Sequence, residues 1–142
     1  MKIYTTILCF LFLILLGCNA SQNFTVAVPT KIVNDTIRIT NDRLEYEVII
    51  IDVGFSSWFN SNARQRGYYS QSYLEARNKV WILEWNKRVN MPLNYDVNLY
   101  GMPINYDFYI NYGYEVNYMI FNYLTYFQLK NNQQLGGFPA KI

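Results

Sequence analysis

The segment from Tyr114 to Asn131 constrains this chain most, because as a helix it would be apolar on nearly every side. At ~100° per residue, Val116, Ile120, Tyr123 and Phe127 fall on one side, and Tyr118, Phe121 and Leu129 on the other. Such a helix has to be enclosed by protein or sit in lipid. Glu115, Asn117, Asn122 and Gln128 argue for protein, since each would be costly in a bilayer. The rest of the domain therefore has to surround it.

Upstream, Ile37 and Ile39 alternate with Arg38 and Thr40, Asn41-Asp42 follows as a turn, and Leu44, Tyr46, Val48 and Ile50 line one face of a second strand. Glu45 and Glu47 on its other face give way to Ile49 and Ile51, so the hairpin is expected to end buried on both sides. Phe24, Val26 and Val28 alternate as a candidate third strand before Pro29. After Asp52-Val53-Gly54, the spacing of Phe55, Trp58, Phe59 and Ala63 predicts a short helix. Ser72-Tyr73-Leu74-Glu75 reads as a capping box opening a long helix that runs to about Val89. The expected class is α+β: an N-terminal β-hairpin, with the option of a third short strand, packed on two long helices and one short helix.

Residues 91–112 form a long connection containing an echo, Pro92-Leu93-Asn94-Tyr95-Asp96 and Pro103-Ile104-Asn105-Tyr106-Asp107. A pair of similar turns, chance, and (as the weakest reading) a metal site shared by Asp96 and Asp107 would each produce it. A connection of this length points to function or to hidden strands. Gly136-Gly137 is expected to end the ordered part.

The N-terminus speaks to location. Met1-Lys2 precedes a nearly unbroken apolar run from Ile3 to Leu16, too short for a comfortable span and of the length of a signal-peptide core. Leu15-Leu16-Gly17-Cys18 resembles the lipobox, in which the cysteine is diacylated and becomes the new N-terminus, although Leu16 departs from the small residue usual there. An ordinary secretory signal or a retained anchor are the alternatives. The expected organisation is a signal peptide over 1–17, lipidated Cys18 and a tether over 18–34, one globular domain over 35–135 and a tail over 136–142. Asn19 is not an Asp, which by analogy with lipoprotein sorting favours the outer membrane, facing the periplasm.

Composition removes several chemistries. The chain has no histidine, and its two cysteines are Cys9, inside the apolar run, and Cys18. A mature domain so built has no imidazole base, no free thiol and no disulfide, and lacks the common zinc ligands. No metal site or cofactor is expected, and no catalytic residue stands out. A net charge of +2 without a basic run gives nucleic acid no footprint. Fourteen tyrosines and many asparagines suit a sugar-binding surface, and equally the cores and loops of an AT-rich genome.

Two clusters are candidate sites. Arg64, Arg66, Gly67, Tyr68 and Tyr69 precede a helix start and could bind an anion, or the arginines could pair with Glu45, Glu47 or Asp52. On the long helix, Tyr73, Val80, Trp81, Leu74 and Trp85 form an apolar arc at ~100° per residue, with Arg77, Glu84 and Arg88 inside it. Arg77 over Trp81 and Glu84 paired with Arg88 would make a buried polar network taking in Asp52 or Glu115, or else the floor of a ligand site. Asp52 and Glu115 are also possible partners in acid/base work on a glycosidic bond.

Several stretches resemble a family of uncharacterised lipoproteins, of the domain-of-unknown-function kind, from flavobacteria-like bacteria. They are Glu45-Tyr46-Glu47 running into Ile49-Ile50-Ile51-Asp52 with Gly54-Phe55 and Trp58; Tyr69 to Glu75 with Arg77-Asn78; Glu84-Trp85-Asn86 with Arg88; and Tyr112 to Tyr118. The resemblance implies a lipoprotein and carries no activity. The expected role is a non-catalytic binding or scaffolding module with a protein or glycan partner, held to a membrane by its lipid. The alternative is a carboxylate-based hydrolase or lyase acting on an envelope glycan.

Overall fold

The computed structural model describes the backbone of residues 31–33, 36–41 and 46–142, and side chains from Ile49 onward. The expected signal peptide, Cys18 and the alternation at Phe24, Val26 and Val28 lie outside the described residues.

Helix α1 spans Phe55–Asn62, α2 Gln71–Val89 and α3 Gly113–Lys130. Extended backbone runs over β1 (Lys31–Val33), β2 (Thr36–Asn41) and β3 (Tyr46–Ile51), paired antiparallel in that order. These strands supply no layer of the domain: the packed interfaces are α2 on α3 and α1 on α3. The expectation of an α+β domain with a hairpin packed on the helices is therefore overturned, and the folded body is helical. The expectation that the second strand ends buried on both faces also fails. Ile50 is in the core, but Ile49 and Ile51 are 53% and 75% exposed. Apolar residues on successive positions did not mean two covered faces, because the aromatic side chains of α1 and of the 91–112 connection complete the core in place of a sheet.

Helix α3 is central, with Val116, Tyr118 to Phe121, Leu124, Tyr126 and Phe127 all buried. Its polar residues are buried too and fold back on their own helix. Asn117, Asn122, Thr125 and Gln128 each donate to the carbonyl four residues earlier, at 2.7–3.0 Å. That satisfies them without solvent. Leu129, expected on a buried side, is 40% exposed. The helix begins at Gly113, whose φ of +80° suits a glycine.

Helix α1 is preceded by Gly54, with φ +100°, where a Cβ would come within 3.2 Å of the Tyr126 hydroxyl. That turn seats Phe55 (1% exposed) among Phe59, Tyr123 and Tyr126, with ring centroids 5.4–5.7 Å away.

Helix α2 is capped by Ser70, not by Ser72: the Ser70 hydroxyl accepts from the Tyr73 amide at 3.2 Å, while Ser72 only contacts Ser70. Its buried residues are Leu74, Asn78, Trp81, Ile82 and Trp85. That arc is turned by roughly 80° from the expected one, at ~100° per residue, leaving Tyr73 and Val80 exposed.

No strand occurs in residues 91–112, which are a run of turns tied to α2 and α3. The indole of Trp85 donates to the Met102 carbonyl at 2.9 Å. Asn86 donates to the Ile104 carbonyl at 2.9 Å and accepts from the Ile104 amide at 2.8 Å. The two copies of the echo differ in backbone, turned over 92–95 and irregular over 103–106, but each ends in an aspartate that opens a similar turn. Asp96 accepts from the Asn98 amide and Asp107 from the Tyr109 amide, each at 2.8 Å. Each carboxylate therefore serves its own turn. Beyond α3, Gly136 does not end the packed part: Leu135 is fully buried, and Phe138 and Ala140 lie against the core.

Candidate functional site

The amino-terminal half of α2 presents different chemistry on its two flanks. On one, Gln71, Glu75 and Lys79 recur every four residues and face residues 106–111 across an open groove of about 410 Å³. Gln71 donates to Glu75 at 2.7 Å and to Asn111 at 2.8 Å, bridging the two walls. The Lys79 ammonium lies 5.2 Å from the centre of the Phe108 ring. Tyr109 stands beside it, 98% exposed, on the turn that Asp107 holds.

Beneath the groove lies a polar layer. Asn117 donates to Glu75 at 3.4 Å and accepts from the Tyr106 hydroxyl at 2.7 Å and from Asn78 at 3.2 Å. Asn78 also donates to the Asn117 carbonyl at 2.9 Å. This layer fixes the rotamers of the groove's wall.

The other flank bears a smaller cleft of about 210 Å³, walled by Tyr69, Tyr73, Trp81, Phe121 and Phe138, with Arg77 and Lys141 at its lip. Tyr69 stacks on Tyr73 at 4.6 Å, and Trp81 on Phe121 at 5.2 Å. Burial, then the neighbouring Tyr73 and Tyr68, push the Tyr69 phenol up against the opposing pull of Arg64 and Arg77, so it stays a neutral donor.

The expected polar network divides into separate sites. Arg77 does not lie over Trp81; its guanidinium sits 3.6 Å from the Phe138 centroid and 5.1 Å from that of Tyr73, one turn back along the helix. Glu84 and Arg88 do pair, at 2.9 Å, at the edge of the buried arc. Lys87 adds a contact to Glu84 at 3.3 Å. Arg88 also donates to Tyr100 at 2.7 Å, Gln133 at 3.2 Å and the Gln134 carbonyl at 2.6 Å. Burial pushes the Glu84 carboxyl up, but hydrogen bonds from Arg88 and Lys87 outweigh it and hold it below the usual range.

Neither Asp52 nor Glu115 joins that network. Asp52 takes Lys130 at 2.8 Å and the Tyr126 hydroxyl at 3.0 Å, and the Asp52 bond raises the lysine's pKa. Glu115 takes Arg66 through both carboxylate oxygens at 2.9 Å. Arg66 is thus matched by Glu115, and Arg64 donates to the Ile142 carbonyl at 3.2 Å, so neither takes the Asp52 expected as a partner. The Gly67 amide bonds the Tyr114 hydroxyl at 2.7 Å, and the Tyr118 hydroxyl donates to the Arg64 carbonyl. The loop is occupied by its own chain, and of its residues Tyr69 lines the smaller cleft.

Sequence reasoning missed Gln71, Glu75, Lys79, Tyr109 and Asn111. The four-residue recurrence of the first three opposite a tyrosine-rich repeat was the available signal. Among the described residues no group of three or more Asp, Glu, His or Cys could hold a metal ion.

The chain belongs to a family of unknown function, DUF6146, whose model matches residues 6–140. No curated protein and no solved structure matches it.

Proposed function

We propose that this protein is a lipid-anchored module of the cell envelope that binds a glycan, without transforming it, in the groove between α2 and residues 106–111. The observation that carries this reading is Tyr109, an almost wholly exposed ring set beside Phe108, Gln71, Glu75, Lys79 and Asn111. Aromatic faces take the apolar faces of sugar rings, while amides and charges read hydroxyls. The groove's volume falls within the ~300–1,000 Å³ usual for ligand sites. Against hydrolysis stand the carboxylates. Asp52, Glu84 and Glu115 are each neutralised by a different cation, and Glu75 is the only carboxylate lining the groove. Hydrolysis of a glycosidic bond ordinarily takes two.

The anchor rests on the short apolar run ending in Gly17-Cys18. No helix among the described residues is long and apolar enough to cross a membrane. Two acyl chains on Cys18 would hold the domain stably at a membrane surface. Cys18→Ala should move the exported protein from the membrane to the soluble fraction, and continued membrane retention refutes the anchor. For the groove, the full chain in detergent is passed over immobilised envelope polysaccharides. Retention that Tyr109→Ala abolishes supports the reading, and retention that Tyr109→Ala leaves unchanged refutes it.

A further inference from the structure

We propose that the cleft on the opposite flank of α2 is a second site, taking a single carboxylate-bearing ring of the class of a uronic acid, with Arg77 and Lys141 receiving the carboxylate. The anion site stands on its own geometry; only the choice of an acidic sugar rests on the glycan reading of the neighbouring groove.

Arg77 is the exception among the described arginines. Arg66 and Arg88 each hold a glutamate, and Arg64 donates to a carbonyl. Arg77 makes no hydrogen bond or ion pair among the described residues, and its guanidinium lies over the rings of Phe138, at 3.6 Å, and Tyr73, at 5.1 Å. Ring contacts fix the plane and leave the N–H fork unused, and that fork matches a carboxylate in two parallel bonds. Lys141, which also lines the cleft, is a second cation without a partner among the described residues, and no acidic side chain is part of the lining.

The walls supply the rest. Tyr69, Tyr73 and Phe121 offer ring faces, and Trp81 carries a buried indole N–H with no acceptor among the described residues. An unmatched buried donor is uncommon in a native fold. At about 210 Å³ the cleft admits one ring and its carboxylate, below the ~300 Å³ where sites for larger ligands begin.

The test follows the three indole N–H resonances of the full chain in detergent, with Trp81 assigned by Trp81→Phe, during titration with sodium glucuronate, glucose and sodium benzoate. The expected result is a saturable shift of the Trp81 resonance with glucuronate and none with glucose at equal concentration. Arg77→Gln should weaken glucuronate at least about tenfold, since a charge-assisted bidentate pair is lost. Lys141→Gln, on an exposed residue of the chain's tail, should weaken it by a smaller factor without disturbing the core. Tyr109→Ala should leave this titration unchanged while abolishing retention in the groove assay, so the two readings fail separately. Equal responses to glucuronate and glucose, or wild-type affinity in both Arg77→Gln and Lys141→Gln, overturn the site. A response to benzoate alone overturns the assignment to an acidic sugar.

Discussion

Helix α3 and the connection from Asn90 to Tyr112 both pack against α2, yet they satisfy their backbones by opposite means. The helix uses its own ladder, and even its buried amide side chains return to carbonyls one turn back. The connection has only short backbone turns and completes them with side chains, Trp85 and Asn86 from α2 and Asp96, Asp107 and Tyr112 from its own length. Stability in α3 is consequently spread over apolar volume, whereas in the connection it is concentrated in a few hydrogen bonds.

The largest effect is expected in the helix. Leu124 is fully buried, and Leu124→Ala should cost about 3 kcal/mol in urea unfolding through lost transfer energy and the cavity left. A cost below about 1 kcal/mol would mean that α3 is not the packed centre. Asn86→Ala should cost about 2 kcal/mol, because it strands both an amide and a carbonyl of Ile104. Limited proteolysis should then cut near residue 104 first, and an unchanged cleavage pattern would break the comparison.

Glu84→Ala should fall lower, at about 1.5 kcal/mol, between the values for exposed and buried pairs. Arg88 is 11% exposed but keeps Tyr100, Gln133 and Gln134 as partners when the glutamate is gone. The same pair sets a pH response. The Glu84 carboxyl is held below its unfolded value, so its contribution is complete above that value and is lost as pH falls through the folded one. Acid unfolding of Glu84→Gln should be correspondingly less steep, and identical curves would show the pair to be idle. Smallest is Tyr109→Ala, within about 0.5 kcal/mol of wild type despite the loss of binding proposed for it.

How far the sequence disclosed this arrangement depended on whether apolarity pointed in one direction. In α3 it pointed everywhere, and only a central position accommodates that. In α2 it misled: Val80, Ile82 and Leu83 spread apolar side chains around most of the circle, so pattern alone did not fix the buried face. The charged stripe accordingly came out in the middle of the arc, whereas Arg88 and Glu84 line its edge. Partners were harder still. Glu84 and Arg88 are four apart and legible, while Glu115 finds Arg66 and Asp52 finds Lys130 only through the packing of α1 and α2 on α3. The groove was hidden because its two walls lie some thirty residues apart, and the recurrence of Gln71, Glu75 and Lys79 on α2 does not say which segment packs opposite.

The reciprocal bond between Asn86 and Ile104 has a consequence for how such a chain can drift over generations. One amide side chain does the work of a β-bridge, so it registers the connection at a single point and leaves the spacing on either side unregulated. Length changes near Leu93 (99% exposed) or at the Tyr109 turn, both out in solvent, need not disturb that register. A change at Asn86 does, because no other residue type of that size offers the same donor and acceptor together. Relatives of this chain should therefore vary freely in the two turns and hold an amide at the position of Asn86. The groove wall that carries Tyr109 then becomes the part that diversifies, on a scaffold that does not.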